Sequence, residues 1–268
     1  MVSDLLLTSL MPYVETASFS ARLWRSRQCQ LTSQGTTHSM NRIIALAQRK
    51  GGVGKTTLAI SIAAELHRLG KMVALIDTDA QRSACQWAEP GNLQFPVYEI
   101  TYADQTASNW VRELRRVATS YDYVVVDTAP NAWALGASIA VSNLVIVPCT
   151  PSGLDLEATV GALEIIYHVR ADRQGLPRVI LVPNRVDART LEGKQLVDEL
   201  TGLREIVSPT IGYRSAFVRA FSTGRSIAEM ADGRVGHREI QLLCDLVERS
   251  LGTGEDLAEH KLTSQPFS

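Results

Sequence analysis

A lysine- and glycine-rich stretch, QRKGGVGKTTLAI, at residues 48–60 limits the possible folds of this chain more than any other part of its sequence. Its glycines, Gly51, Gly52 and Gly54, let the backbone take positive φ, so that successive amide N–H groups can line a concave site for phosphate oxygens. The apolar run NRIIALAQ before the stretch predicts a buried strand, and TTLAISIAAELHRLG after it predicts a helix whose positive N-terminus faces an anion. Strand, glycine loop and helix in this order indicate a phosphate-binding loop of a nucleotide site.

Strands and helices alternate along the chain from Met40 onward. The β-rich runs are MVALIDTD, YDYVVVDTAP, NLVIVPCTP, RVILVPNRV and IVSPTIG, and helical patterns such as NWVRELRRVATS, LEATVGALEIIYHVRA and REIQLLCDLVERSL follow them. This alternation predicts an α/β fold, a doubly wound, mostly parallel sheet with helices on both faces. Ligands in such folds bind at the carboxyl ends of the strands, so the functional residues are expected there.

Composition limits the classes of protein to consider. A chain of 268 residues with 45% hydrophobic residues can bury one sizeable core, and the net charge of −1 provides no overall basic field that would attract nucleic acid. The four cysteines are widely spaced, as expected of reduced thiols in a cytoplasmic protein. No apolar run approaches the ~18 residues that cross a bilayer, so no membrane association is expected.

Three segments are predicted along the chain. Residues 1–39 are rich in Ser and Thr and are expected to be a poorly ordered extension or an over-extended start before Met40, with a faint likeness to a transit peptide. Residues 40–252 are expected to form the nucleotide-binding domain. Residues 253–268 form an acidic and polar tail, unlike the amphipathic helix that holds a protein on a membrane.

The phosphate-binding loop departs from the standard G-x-x-x-x-G-K-[ST], because Arg49 stands at the first glycine and Lys50 follows it. With Lys50, the segment KGGVGKTT resembles the deviant Walker A motif of the ParA/MinD family of ATPases. The resemblance covers about residues 40–252 and implies a weak, Mg²⁺-dependent ATPase that forms a homodimer when ATP binds. It also implies that Lys50 reaches across the dimer interface to the phosphates of the other subunit, whereas Lys55 serves its own nucleotide.

Carboxylates follow two of the apolar runs, in the segments DTDAQ (77–81) and DTAP (127–130). A carboxylate that ends a buried strand is costly unless it meets a cation or hydrogen-bond donors, so we expect Mg²⁺ near Thr56 and Asp127. The resemblance to the ParA/MinD family implies that Asp77 also lies near this metal. DTDAQ resembles the family's D-x-D-P-Q switch segment, which implies that Asp79 orients the attacking water; Ala80 replaces the usual proline. Any one of these aspartates could instead cap a helix. The predicted catalytic residues are Asp79, Lys50 and Lys55.

The segment PNRVDA, residues 183–188, raises the choice of base. Its N-R-V-D spacing is similar to the N-K-x-D element that reads guanine, with Asp187 as the acceptor. In the ParA/MinD family an asparagine at this place lies beside adenine, which implies ATP and Asn184. The predicted ATP-binding residues are Lys50, Gly51, Gly52, Val53, Gly54, Lys55, Thr56, Thr57 and Asn184.

Near the C-terminus, IGYRSAFVRAFSTGRSIAEMADG resembles the short ParA proteins of plasmid partition. Arg214, Arg219 and Arg225 lie in the segment where those proteins contact nonspecific DNA, although a solvated helical face is the ordinary interpretation of surface arginines. The resemblance implies a nucleoid-associated switch that segregates plasmid or chromosomal DNA, with a ParB-like or other cargo-adaptor protein that stimulates hydrolysis. The alternatives are positioning of carboxysomes or chemotaxis clusters, a MinD-like membrane ATPase, and a small-molecule enzyme.

Overall fold

The computed structural model describes residues 42–102 and 106–252. The predicted extension at residues 1–39, the start at Met40 and the tail at residues 253–268 lie outside the described residues. The strands are β1 (Arg42–Leu46), β2 (Val73–Asp77), β3 (Val97–Glu99), β4 (Tyr123–Asp127), β5 (Leu144–Cys149), β6 (Arg178–Pro183) and β7 (Ile206–Val207). The helices are α1 (Lys55–Arg68), α2 (Ser83–Ala88), α3 (Ala107–Ala118), α4 (Ala132–Val141), α5 (Gly153–Asp172), α6 (Leu191–Thr201), α7 (Ser215–Thr223) and α8 (Arg234–Leu251), with a 3₁₀ turn at Ile227–Glu229.

All seven strands join one sheet in the order β3-β2-β4-β1-β5-β6-β7, and every pairing is parallel. The predicted parallel α/β fold is therefore confirmed. The inner strands β2, β4 and β5 are buried along their whole length, which explains their nearly continuous apolar sequences. Register aligns Asp77 with Asp127 and Asp127 with Leu46, so the ends of three neighbouring strands lie side by side.

Helices cover both faces of the sheet. Alternate residues of β1 separate the two cores: Ile44 and Leu46 pack with α1, α2, α7 and α8, whereas Ile43 and Ala45 pack with α3 and α4. A further cluster on the second face joins α4, α5 and α6 to β5 and β6. This arrangement directs the loops after β1, β2, β4 and β6 towards one edge of the sheet.

Two elements differ from the prediction. Strand β3 was not predicted, because its three residues at the sheet edge, two half-exposed and one exposed, are too few to show a periodic pattern. Strand β7 contains only two residues of the predicted run IVSPTIG, and the chain beyond it leads to α7. None of the helices in the described part of the chain has the length and apolar character required to cross a membrane.

A candidate nucleotide and magnesium site

The phosphate-binding loop connects the end of β1 to the first residue of α1. Gly52 and Gly54 have φ values of 80° and 94°, in the left-handed region that glycine adopts without strain. A side chain at Gly54 would also meet the Asn184 amide, whose Nδ2 would lie 2.5 Å from the added Cβ. Glycine at 54 is therefore required both by backbone conformation and by the close approach of the loop after β6.

Lys55 is buried at the beginning of α1, where its Nζ donates a hydrogen bond to the Lys50 carbonyl at 3.3 Å. Burial lowers the pKa of Lys55, while the nearby carboxylates of Asp127 and Asp79 raise it. The ammonium group is thus held inside the loop, with acidic groups close by. This position suits a cation that contacts nucleotide phosphates.

A hydroxyl and a carboxylate meet below the loop, because Thr56 Oγ1 donates to Asp127 Oδ2 at 2.6 Å. The other carboxylate oxygen, Asp127 Oδ1, is buried and has no hydrogen-bond partner among the described residues. Burial raises the pKa of Asp127 to about 7, and the Thr56 hydrogen bond opposes that shift. An orphaned carboxylate oxygen beside a threonine hydroxyl suits a hard cation such as Mg²⁺, so the residues present fit the predicted metal.

The two aspartates of the switch segment differ in their surroundings. Asp77 is fully buried, and its carboxylate accepts backbone N–H groups of Asp79, Ala84 and Cys85 at 2.9–3.1 Å. It therefore caps the beginning of α2 and does not line the cleft described below. Its predicted place near the metal stays a prediction. Asp79 is half-buried and lines the cleft.

A cleft of about 410 Å³ runs from the loop to the segment after β7. Its lining includes the predicted residues Gly51, Gly52, Gly54, Lys55, Thr56, Thr57, Asp79, Asp127 and Asn184. Asn184 is buried, and its Nδ2 donates to the Val53 carbonyl at 2.7 Å, which ties the loop after β6 to the phosphate-binding loop. Asp187, the guanine-reading alternative, does not line this cleft. Its hydrogen bonds with Arg189 lower the pKa of Asp187 to about 2.

Lys50 lies apart from the cleft. It lines a neighbouring depression with Gly51, Gly52 and Val53, and its ammonium forms an ion pair with Asp155 at the beginning of α5. The two lysines of the loop therefore point to different places, Lys55 into the nucleotide cleft and Lys50 towards α5. The predicted contact of Lys50 with another subunit's phosphates stays a prediction.

The three arginines predicted to bind DNA do not form a set of unpaired cations. Arg214 makes two hydrogen bonds to the Glu239 carboxylate and lines the cleft, and Arg219 is ion-paired with Asp232. Arg225 is exposed, and its backbone carbonyl accepts a hydrogen bond from the Trp87 indole at 3.0 Å. Both ion pairs join residues well separated in sequence, which is why sequence reasoning did not find them.

The structure adds residues that the sequence did not single out. Trp87 in α2 packs edge-to-face on Phe221 in α7, with ring centroids 5.3 Å apart, and both line the cleft. Arg185, next to Asn184, has a φ of 54° and also lines the cleft. Isolated aromatic residues look like ordinary core residues in a sequence, and a positive φ at arginine leaves no sequence signal.

Comparisons with known proteins agree with this geometry. The family model for the CobQ/CobB/MinD/ParA nucleotide binding domain matches residues 44–227. The chain is 34% identical to Maintenance of carboxysome distribution protein A of Gloeobacter kilaueensis, over 70% of this chain and 81% of that protein. It is 32% identical to the chromosome-partitioning ATPase Soj of Thermus thermophilus, over 77% of this chain and 95% of that protein.

Solved structures share the fold at lower identity. The ATP complex of a Cyanothece McdA variant superposes with a TM-score of 0.59 at 14% identity, covering 80% of this chain and 98% of that chain. The cell division ATPase MinD of Pyrococcus furiosus gives 0.58 at 19% identity, covering 78% and 99%. The relatives thus include partition ATPases and carboxysome-positioning proteins, and the predicted resemblance is confirmed. The chain belongs to the ParA/MinD family of nucleotide-binding domains.

Proposed function

We propose that this protein is an ATP-dependent dimerising switch that binds nonspecific DNA and segregates a cargo, most simply plasmid or chromosomal DNA. The observation that carries the proposal is the 2.6 Å contact between Thr56 and Asp127, beside the glycine loop and Lys55. The other Asp127 carboxylate oxygen is buried and has no hydrogen-bond partner within residues 42–102 and 106–252. Partition ATPases among the relatives support the choice of cargo. The 34% identity to a carboxysome distribution protein supports a protein cargo as the second candidate.

In the proposed cycle the loop amides and Lys55 hold the phosphates of ATP, and Asn184 lies beside adenine. Thr56 and Asp127 would hold Mg²⁺, whose positive charge would offset the negative charge of the nucleotide phosphates. Asp79 orients the attacking water or accepts its proton. Lys50 contacts the phosphates of the other subunit, so that ATP closes the dimer.

The dimer would associate with nucleoid DNA through exposed arginines, of which Arg225 and Arg219 are the better placed. Phosphate-directed binding of this kind is blind to sequence and strongly weakened by salt. A ParB-like or other cargo-adaptor protein would stimulate weak hydrolysis and release the dimer. The proposed location is accordingly the cytoplasm, on the nucleoid.

The experiment is retention of the protein on a surface coated with nonspecific DNA, at several salt concentrations, with Mg·ATP, Mg·ADP or no nucleotide. We expect retention with Mg·ATP alone, together with an approximate doubling of mass in light scattering. Liposomes of anionic lipid provide the parallel surface for a MinD-like function. Equal retention under all three nucleotide conditions would contradict a nucleotide-controlled switch.

Two cargo classes can be separated by co-purification of the ATP-bound protein from its own cells. A small basic DNA-binding partner would support partition, whereas shell or receptor proteins would support positioning of a protein cargo. Stimulation of ATP turnover by the purified partner then tests the adaptor role directly.

A further inference from the structure

Lys50 is held within its own subunit by a buried carboxylate. Its ammonium forms an ion pair with Asp155 Oδ1, and the exposed fractions of the two side chains are 39% and 2%. Among the described residues, Asp155 Oδ1 has no hydrogen-bond donor, so the charge of Lys50 is what balances this oxygen. The pair therefore joins a half-exposed cation to a buried anion.

Asp155 is fixed because its other groups are fully used. Its Oδ2 accepts hydrogen bonds from both the backbone N–H and the hydroxyl of Thr150, and its carbonyl accepts from the Thr159 hydroxyl at 2.9 Å. The Thr159 hydroxyl in turn accepts from Gln48 Nε2 at 3.0 Å, two residues before Lys50. The carboxylate is thus held by Thr150, directly after β5, and the backbone of Asp155 is tied through Thr159 to Gln48 at the beginning of the phosphate-binding loop.

We infer that Asp155 is a positioning residue that retains Lys50 in its own subunit and so raises the ATP concentration required for dimer formation. This inference rests on the proposed function, in which Lys50 must reach the phosphates of the other subunit. While its ammonium remains on Asp155, the Lys50 side chain is directed towards α5 of its own subunit and away from that contact. Releasing it leaves a buried carboxylate oxygen without a counter-charge, which is unfavourable.

The pair therefore gives Lys50 two alternative partners, Asp155 within the subunit and a phosphate across the interface. ATP shifts the balance only when the second contact is the stronger one. In the absence of ATP, Asp155 keeps the interface lysine away from premature contacts. Weakening Asp155 should accordingly favour the dimer, which is the opposite of what loss of a merely structural residue would do.

The test variant is Asp155→Asn. The asparagine carbonyl oxygen can still accept both hydrogen bonds from Thr150, while its NH₂ group faces Lys50 and cannot pair with an ammonium. Glu157→Gln is the matched control, since Glu157 is exposed on the same helix and the substitution removes the same charge.

The first measurement is the rate at which an amine-reactive reagent labels Lys50 in the nucleotide-free protein, followed by mass spectrometry. We expect Asp155→Asn to label several times faster than the parent and Glu157→Gln to label at the parent's rate. The second measurement is ATP-dependent dimerisation by light scattering. We expect the half-maximal ATP concentration of Asp155→Asn to fall by roughly threefold to tenfold, which lies in the lower part of the range for interacting neighbouring residues.

Unchanged labelling of Lys50, or an unchanged or higher ATP requirement, would overturn the role of Asp155 while leaving the proposed function intact. A parent protein that never dimerises with ATP would instead overturn the proposed function, whatever the labelling shows.

A third measurement tests the ion pair without a variant at Asp155, and it applies even if Asp155→Asn does not fold. Lys50→Met leaves the buried carboxylate unbalanced, so the melting temperature of the nucleotide-free protein should fall by about 2–4 °C. Lys194→Met, at an exposed lysine of α6, should leave it unchanged. Equal melting temperatures for the two variants would contradict the inferred ion pair.

Discussion

Two regions of this molecule handle charge in opposite ways. At the carboxyl end of the sheet, a buried oxygen of Asp127 has no hydrogen-bond partner in the part of the chain that the structure describes, and Asp79 lines an open cleft. Around α7 and α8, Arg214 and Arg219 are already matched by acids of the same chain. The carboxylates of the first region can accept a cation from a ligand, whereas Arg214 and Arg219 in the second region are already paired with carboxylates of the same chain.

The two kinds of charge differ in what they indicate about ligands. Unsatisfied buried groups are costly, so an orphaned carboxylate points to a missing cation. An arginine that already has a carboxylate partner gives no such indication, because ligand binding would have to displace or share that partner. The structure therefore supports a nucleotide and metal site at Asp127 more directly than it supports DNA binding by the arginines.

The largest effect is expected from the two lysines of the phosphate-binding loop. Lys55→Ala should abolish ATP binding, because it removes the buried cation of the cleft. Lys50→Ala should leave appreciable binding but prevent the ATP-dependent dimer. Nucleotide binding by fluorescence and mass by light scattering check both variants. A Lys50→Ala protein that dimerises normally with ATP would contradict the proposed crossing contact.

The second prediction separates turnover from binding. Asp79→Ala should lower ATP turnover by about 10²–10⁴, the usual contribution of a general base or water-positioning carboxylate, while ATP-dependent retention on DNA persists. Asp127→Ala should lose both, because Asp127 is the carboxylate proposed to hold Mg²⁺. Turnover of Asp79→Ala within about threefold of the parent would assign the catalytic role to another residue.

Much of the first region could be predicted from the sequence, because its residues are fixed by local rules. The loop spacing identifies Lys55 and Thr56, and parallel pairing brings the ends of β1, β2 and β4 together. Asp77 marks the limit of this reasoning. A carboxylate at the end of a buried strand can meet a metal or cap a helix, and only the fold shows that Asp77 accepts three backbone N–H groups.

The second region could not be predicted in the same way. The Arg214–Glu239 pair spans 25 residues and depends on how α8 packs beside the beginning of α7. The contact of Lys50 with Asp155 likewise depends on α5 lying next to the loop. Such pairings are set by tertiary packing, and no spacing rule in a single sequence specifies them.

The third prediction uses the raised pKa of Asp127. Burial raises that pKa to about 7, above the value of about 4 expected in the unfolded chain. The folded state therefore binds the proton more tightly, and the stability from Asp127 is present below about pH 4 and lost as pH rises towards 7. An asparagine at this position cannot ionise, so Asp127→Asn should not lose stability as the pH rises. The melting temperature of the nucleotide-free variant at pH 8 should therefore be several degrees above that of the parent.

The matching control for Asp127→Asn is the same melting curve at pH 4, where the parent carboxyl is protonated and the two proteins should agree. Mg·ATP should stabilise the parent at pH 8 and have little effect on the variant. A constant difference between parent and variant at all pH values would show that Asp127 does not titrate in this range.

The smallest effects are expected among the arginines, where they sharpen the contrast between paired and unpaired cations. If exposed Arg225 contacts DNA phosphate, Arg225→Gln should reduce the slope of log affinity against log salt by about one unit. Arg214→Gln should leave that slope unchanged, because Arg214 is bound to Glu239. Equal salt dependence of DNA affinity for Arg225→Gln and Arg214→Gln would mean that Arg225 does not belong to the DNA-binding surface.

Asp232→Asn tests whether Arg219 contacts DNA without changing any arginine. The substitution removes the acid that pairs with Arg219 on the surface and frees that guanidinium for a phosphate. Exposed ion pairs are weak, so DNA retention of the ATP-bound dimer should rise only by roughly twofold to fivefold. In an Arg219→Gln background the gain should be limited to the long-range effect of one fewer negative charge, which salt screens. A gain that is the same with and without Arg219 would mean that Asp232 acts by general repulsion, and that Arg219 does not contact DNA.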